Sequence, residues 1–174
     1  MSRPYKVTTE EVVGEVVVAE DHISTRIDIP EILPREETAG ILTDILKERG
    51  FNDSPDGGTL IRERGGVKVE IDPDDGEVCI SCKESANIPD GGPTGPCGCR
   101  IREKAAQGAS IRNNLQDGVS KRLGNALPRL GCELEGVVNQ VTKKALRRKA
   151  SQLGEVTRVQ ENPDGSMEIT IKVW

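Results

Sequence analysis

Residues 59–82 read TLIRERGGVKVEIDPDDGEVCISC, three strand-like stretches separated by two turn signals, and the middle stretch VKVEID (67–72) alternates apolar and polar residues. Alternation with a period of two predicts strands that bury one face. Gly65-Gly66 is typical of a tight hairpin turn, and Pro73-Asp74-Asp75-Gly76 supplies a second turn, since Pro presets φ and Gly accepts positive φ. The segment therefore predicts an antiparallel β-meander with strands at 59–64, 67–72 and 78–82.

The N-terminal part adds strands and a helix to this meander. The Val-rich stretch 11–18 favours a strand, with a short helix as the alternative, and the alternating stretch 23–29 favours a second strand that Pro30 closes. Residues 35–49 predict a helix with acidic residues in its first turn, an apolar stripe and Gly50 as its stop.

The C-terminal part is predicted to be helical and to end in a hairpin. Residues 85–98 form a Gly/Pro-rich loop, and helical spacing then runs from 99 to 153. Pro128 and Gly131 predict a break, so we expect a second helix over 132–152. A hairpin at 155–173 follows.

Together these elements predict an α+β fold, an antiparallel sheet with a helical segment and a C-terminal hairpin packed on it. We expect three segments within one domain: a strand–helix–meander part (1–84), a cysteine-containing loop (85–98), and the helical segment with its hairpin (99–174), which could join the same sheet.

Two hairpins share a sequence shape. VKVEIDPDDGEVCISCK (67–83) and TRVQENPDGSMEITIK (157–172) are each strand, Pro-Asp-Gly turn and strand. The likeness fits either two unrelated hairpins or a duplicated hairpin–helix unit. Aligning their glycines places Cys82 on the core side and Cys79 on the opposite face.

Composition excludes several classes of protein. Aromatic residues make up 2% of the chain, too few for stacking single-stranded bases. The aliphatic runs are far shorter than the ~20 residues that span a bilayer. The charged N-terminus is unlike a signal peptide, so we expect a cytoplasmic protein with reduced or metal-bound cysteines and no membrane partner. No phosphate-binding glycine motif is present, which argues against nucleotide chemistry.

The cysteines suggest a metal site. Cys79-x2-Cys82-x14-Cys97-x-Cys99 contains four thiols that could hold tetrahedral zinc. Strand geometry at Cys79 and Cys82 opposes joint coordination, so unliganded thiols and a redox role remain open alternatives. The fifth, Cys132, is predicted to be a small buried residue.

Neither the single histidine nor the acidic turn residues predict a catalytic or calcium-binding site. The single histidine, His22, precedes a predicted strand and is expected to be a capping or surface residue. The carboxylates Asp72, Asp74, Asp75 and Glu77 resemble a calcium loop but lack its twelve-residue ligand spacing, so we expect a solvated turn.

Charge is segregated along the chain. Residues 1–99 contain 10 basic and 21 acidic residues, whereas residues 100–150 contain 12 basic and 4 acidic ones. The densest basic stretch forms two adjacent i,i+4 rows on a helix, here called the cationic ridge: Lys143, Lys144, Arg147, Arg148 and Lys149. It could offset the helix dipole, pair with acidic residues of the same chain, or bind an acidic partner or phosphates.

The C-terminal run VNQVTKKALRRKASQLGEVTRVQENPDGSMEITIKVW resembles the ending of small α+β accessory proteins of bacterial FtsH ternary systems. The shared features are a helix that ends in Lys-Ala-x-x-Leu-Gly-Glu-Val (149–156) and the Pro-Asp-Gly hairpin after it. The resemblance is confined to about the last quarter of the chain. It implies a non-catalytic module in a conflict system that combines an FtsH-type AAA+ protease, a MoxR-type ATPase and von Willebrand A-type proteins.

These observations predict a protein-interaction or adaptor module that is not an enzyme and needs no cofactor other than a possible zinc ion. The expected partners are proteins, including components of the AAA+ protease system. One alternative is a small zinc-stabilised nucleic-acid-binding protein that uses Arg129 and the cationic ridge. The other is an enzyme with a site around Cys97 and Cys99.

Overall fold

The computed structural model describes residues 16–87, 100–163 and 166–173. Predictions for 11–15, for most of the loop 85–98 with Cys97 and Cys99, and for the turn residues Asp164 and Gly165 lie outside the described residues. The elements in chain order are β1 (Val16–Arg26), α1 (Arg35–Glu48), β2 (Asn52–Asp53), β3 (Leu60–Arg64), β4 (Val67–Ile71), β5 (Glu77–Asn87), α2 (Arg100–Leu153), β6 (Glu155–Glu161) and β7 (Met167–Lys172).

The strands form two sheets. The larger is antiparallel with the order β1-β5-β4-β3-β2, and the smaller contains only β6 and β7. The α+β class predicted from the sequence is confirmed. The C-terminal hairpin forms a sheet of its own instead of joining the larger one. No helix in the described ranges has the length and apolarity needed to cross a membrane.

The first strand is longer than its sequence pattern indicates. Two strands were expected, at 11–18 and 23–29, but β1 runs unbroken from Val16 to Arg26 through the polar segment between them. Val17 and Ala19 are buried on one face, and Glu20 points to the other face and is exposed. Since β1 ends the sheet order, its polar side chains can stay in water.

The second helix is continuous, so the break predicted at Pro128 and Gly131 is wrong. α2 spans 54 residues with Pro128 inside it. Proline removes one backbone hydrogen bond, but the apolar stripe stays in phase across it. The buried positions of this stripe recur at helical spacing on both sides of the proline: Val119, Leu123, Leu130, Val137, Val141 and Ala145.

Local signals at α1 and at the meander turn act as the sequence predicts. After α1, Gly50 has φ of 84°, and the Phe51 N–H donates to the Leu46 carbonyl at 3.1 Å. In the turn, Asp72 Oδ1 accepts hydrogen bonds from the Asp74 and Asp75 amides at 2.8 and 3.3 Å. These contacts terminate the helix and close the turn.

The described residues fall into two compact units. Unit 1 contains 16–25, 63–70, 79–87 and 100–129, and unit 2 contains 26–62, 71–78, 130–163 and 166–173. Each unit has an aliphatic core. The core of unit 1 consists of Val17, Ala19, Val67, Val69, Ile80, Cys82, Val119 and Leu123. The core of unit 2 includes Leu42, Ile45, Leu46, Leu60, Ile71, Val78, Val137 and Val141.

Candidate functional site

An open depression of about 420 Å³, lined mostly by charged and polar residues, lies on the sheet face of unit 1 that is opposite its buried face. Strand alternation sends every second side chain of β1, β3, β4 and β5 to this side. We call this surface the open face, and its side chains are Glu20, His22, Glu63, Lys68, Glu70, Cys79, Ser81 and Lys83.

The charges of the open face are mixed and partly paired. Lys68 Nζ lies 2.8 Å from Glu70 Oε1, and Lys83 Nζ lies 3.5 Å from Glu20 Oε2. Sites that bind small molecules are mostly apolar and enclose their ligand. The shape and chemistry of the open face instead suit a broad polar contact.

The histidine belongs to this surface. His22 lies within β1, not before a strand as the sequence suggested, and it lines the open face. Its backbone N–H donates to Asp21 Oδ1 at 2.9 Å. The expectation of a surface histidine agrees with this half-exposed position.

The structure separates the first two cysteines of the predicted zinc site. Cys79 and Cys82 both lie in β5, so strand alternation sends their side chains to opposite faces. Cys82 is 1% exposed, and burial raises the pKa of its thiol, which disfavours the thiolate that binds metal. Among the described residues, no group of three or more His, Cys, Asp or Glu could hold a metal ion. With Cys97 and Cys99 outside the described residues, the zinc site stays a prediction.

Cys132 is exposed, and the prediction of a buried residue is wrong. It follows Leu130 by two positions, which is a rotation of about 200° around a helix. Because Leu130 belongs to the buried stripe, this rotation turns Cys132 away from it.

The cationic ridge pairs with acidic residues of unit 2 in two rows. Lys143 and Arg147 both bind the Glu161 carboxylate of β6, with N–O distances of 3.0 and 2.7 Å. The other row contacts α1. Lys144 Nζ lies 3.6 Å from Glu48 Oε1 near the end of α1, and Arg148 Nε lies 2.8 Å from Glu37 Oε2 in its first turn.

One row of the ridge therefore holds the C-terminal hairpin, and the other holds α1. The ridge thus pairs with acidic residues of the same chain, which is one of the alternatives that the charge distribution suggested. Lys149, the fifth cation, is exposed. The partner-binding role of the ridge stays a prediction.

A second ionic cluster in unit 2 could not be found from the sequence. Arg62 of β3 makes two hydrogen bonds to the carboxylate of Glu133, at 2.5 and 2.7 Å, and its guanidinium lies 4.3 Å from the centre of the Phe51 ring. Arg49 donates to the Glu133 carbonyl at 3.4 Å and to Gln140 Oε1 at 3.1 Å. Bidentate pairing and stacking together fix the arginine plane. The pairing with Glu133 also raises the pKa of Arg62, which keeps it charged.

Unit 1 has a corresponding polar contact between α2 and its strands. Arg122 forms an ion pair with Glu84 of β5, whose side chain is 19% exposed. Ser120 Oγ donates to Asp21 Oδ2 at 3.3 Å. These contacts position the strands that carry the open face.

The chain matches a protein-family model. The model described as FtsH ternary system domain X5 matches residues 1–92 and 99–174. The match therefore extends well beyond the C-terminal run that carries the resemblance noted from the sequence. No curated protein and no solved structure matches the chain.

Proposed function

We propose that this chain, which belongs to the FtsH ternary system domain X5 family, is a non-catalytic adaptor that binds a protein component of that system. The observation that supports this proposal is the family match, which covers most of the chain and suggests an accessory role in the system.

The open face supports a binding role. It presents three glutamates and two lysines across four strands, without an enclosed cavity. Mixed charge of this kind selects a partner by complementary charge and by repulsion of wrong partners. We therefore assign the open face as the surface that contacts the partner protein.

Polar contacts within unit 1 support a scaffold for that face. Arg122 forms an ion pair with Glu84 of β5, and Ser120 donates a hydrogen bond to Asp21 of β1. These contacts join α2 to two of the strands that carry the open face.

The experiment is co-expression with the FtsH-type protease of the same system. We expect the chain to co-elute with the protease and to change its rate of protein degradation. Reversal of two open-face charges, Glu70→Lys with Lys83→Glu, should weaken co-elution tenfold or more, because like charges would then face those of the partner.

A matched control is Asp117→Lys with Lys121→Asp, a charge exchange at two exposed residues of α2 in unit 1 that do not belong to the open face, and it should leave co-elution unchanged. The proposal fails if the chain binds none of the protein components of the system, or if it turns over a substrate without them. If the control and the open-face variant weaken co-elution equally, the assignment of the open face as the surface that contacts the partner is wrong.

A further inference from the structure

The hairpin of β6 and β7 has one regular strand edge that no described strand covers. The small sheet contains only these two strands. β6 has a register irregularity between Val156 and Arg158, whereas every residue of β7 from Met167 to Lys172 has a partner in the ladder. Bulges twist an edge away from further pairing, so the edge available for a new strand is that of β7.

The backbone groups of β7 point alternately to its two sides. The Thr170 carbonyl accepts a hydrogen bond from Thr157 Oγ1 of β6 at 3.1 Å, and the Lys172 carbonyl lies 2.5 Å from the position of a Cβ on Gly154. Both carbonyls therefore point towards β6. In an antiparallel ladder the N–H and C=O of the intervening residues, Ile169 and Ile171, point to the opposite edge.

The sequence of β7 is complementary to itself about Thr170. In an antiparallel pairing of two copies with Thr170 on the two-fold axis, Glu168 of each copy faces Lys172 of the other. Ile169 faces Ile171, Met167 faces Val173, and the two threonines face each other. Opposite charges, aliphatic pairs and Thr–Thr pairs are the combinations that stabilise directly opposed strands.

Other symmetric registers lack this match. An axis at Ile169 or Ile171 removes both Glu–Lys pairs, and an axis at Glu168 or Lys172 places like charges opposite each other. In the Thr170 register, the outward groups of Ile169 and Ile171 also form the hydrogen-bonded pairs of the ladder.

We propose that β7 pairs with β7 of a second copy of this chain, antiparallel about a two-fold axis at Thr170, to form a four-stranded sheet. The pairing joins the apolar stripes of two hairpins. Val173 is 73% exposed, and Met167, Ile169 and Ile171 are half-buried in the single chain. A two-stranded hairpin is marginally stable alone, and a wider sheet with one apolar side is more stable.

Charge exchange tests this register by sedimentation of the full chain over a concentration series. Glu168→Lys or Lys172→Glu alone places like charges opposite each other twice, and each should raise the dimer dissociation constant roughly tenfold or more. The double variant should recover affinity relative to either single variant. Arg158→Glu, on β6 and with the same change in charge as Lys172→Glu, should leave the dimer unchanged.

A chain that remains monomeric up to about 1 mM would overturn the proposal. The proposal would also be contradicted if neither single charge reversal raised the dimer dissociation constant, or if the double variant did not lower it again.

Cross-linking tests the axis directly. Opposed residues of a non-hydrogen-bonded pair have Cα atoms about 4.5 Å apart, within the range of a disulfide. Thr170→Cys should therefore form a 170–170 disulfide under mild oxidation, identified by mass spectrometry so that native cysteines do not interfere. Thr157→Cys, on the other strand, is the control. A dimer without the 170–170 link, or an equal yield at 157, would contradict the register.

Discussion

The two hairpins of this chain share a sequence pattern, but their apolar side chains differ in burial. In the first, formed by β4 and β5, Val78, Ile80 and Cys82 are at most 1% exposed. The aligned residues of the second, Met167, Ile169 and Ile171, are all half-exposed. The shared sequence pattern therefore predicts a hairpin in both places, but it does not determine what covers each hairpin.

The difference arises from the neighbours of each hairpin. β4 and β5 are central strands, flanked by β3 and β1, and their apolar side is buried. β6 and β7 have only each other as strand partners in the described structure, and every described residue of the pair is at least partly exposed. The first hairpin therefore contributes to a core, whereas the second retains surface for association.

The largest expected effect comes from the aligned isoleucines. Ile80→Ala removes a buried side chain that is 1% exposed and should lower the free energy of unfolding by about 2–5 kcal/mol. Ile169→Ala removes the same atoms from a half-exposed site and should cost about 1 kcal/mol or less. Urea unfolding of both variants, at a concentration where the chain is monomeric, measures the comparison. Equal losses would show that the two hairpins are buried alike.

Signals carried by a few adjacent residues could be predicted from the sequence. The turn at 72–76 and the helix stop at Gly50 depend on Asp side chains and positive φ, both of which are local properties. The Pro128 signal is also local, but here the apolar stripe on both sides outweighs the loss of one hydrogen bond. A single proline is therefore not enough to end a helix whose apolar stripe continues on both sides of it.

Long-range partners could not be predicted. The cationic ridge was identified from its spacing, yet nothing in the sequence indicates that Glu161 and Glu48 are its counterions. The Arg62–Glu133 pair joins residues 71 positions apart, and neither belongs to a recognisable motif. Such pairs depend on the packing of α2, which is set by the whole apolar stripe.

The second prediction compares the same substitution at two glutamates. Glu133→Gln removes the charge that holds Arg62, whose side chain is only 16% exposed, and should cost about 1–3 kcal/mol of unfolding free energy. Glu161→Gln removes an exposed partner of the second hairpin and should cost much less, as exposed ion pairs do. Urea unfolding at neutral pH measures both. A larger loss for Glu161→Gln would reverse the proposed order.

The third prediction compares Gly154, which contacts the second hairpin, with Gly131, which lies inside α2. A Cβ at Gly154 would lie 2.5 Å from the Lys172 carbonyl oxygen, so Gly154→Ala should displace β7 from α2 and lower the melting temperature. A Cβ at Gly131 meets nothing within 4 Å inside a helix, so Gly131→Ala should stabilise by up to about 1 kcal/mol. Thermal unfolding measures whether the melting temperature falls in Gly154→Ala and rises in Gly131→Ala. A destabilising Gly131→Ala would indicate that the helix needs flexibility next to Pro128.

The smallest effect is a pH dependence confined to the second hairpin. The hydrogen bond from Lys143, together with the charges of Lys143 and Arg147, lowers the pKa of the Glu161 carboxyl. A carboxyl group with a lowered pKa in the folded state stabilises it fully above its unfolded pKa, and this contribution disappears as pH falls through the folded value.

Hydrogen exchange of β6 and β7 amides, corrected for intrinsic rates, should therefore show weaker protection on acidification below about pH 4, with little change in β4 and β5. In Glu161→Gln the protection should already be reduced at neutral pH, and acidification should reduce it less than in the native chain. If both hairpins lose protection together, the second hairpin is coupled to the core, and the contrast between a buried and a peripheral hairpin does not hold.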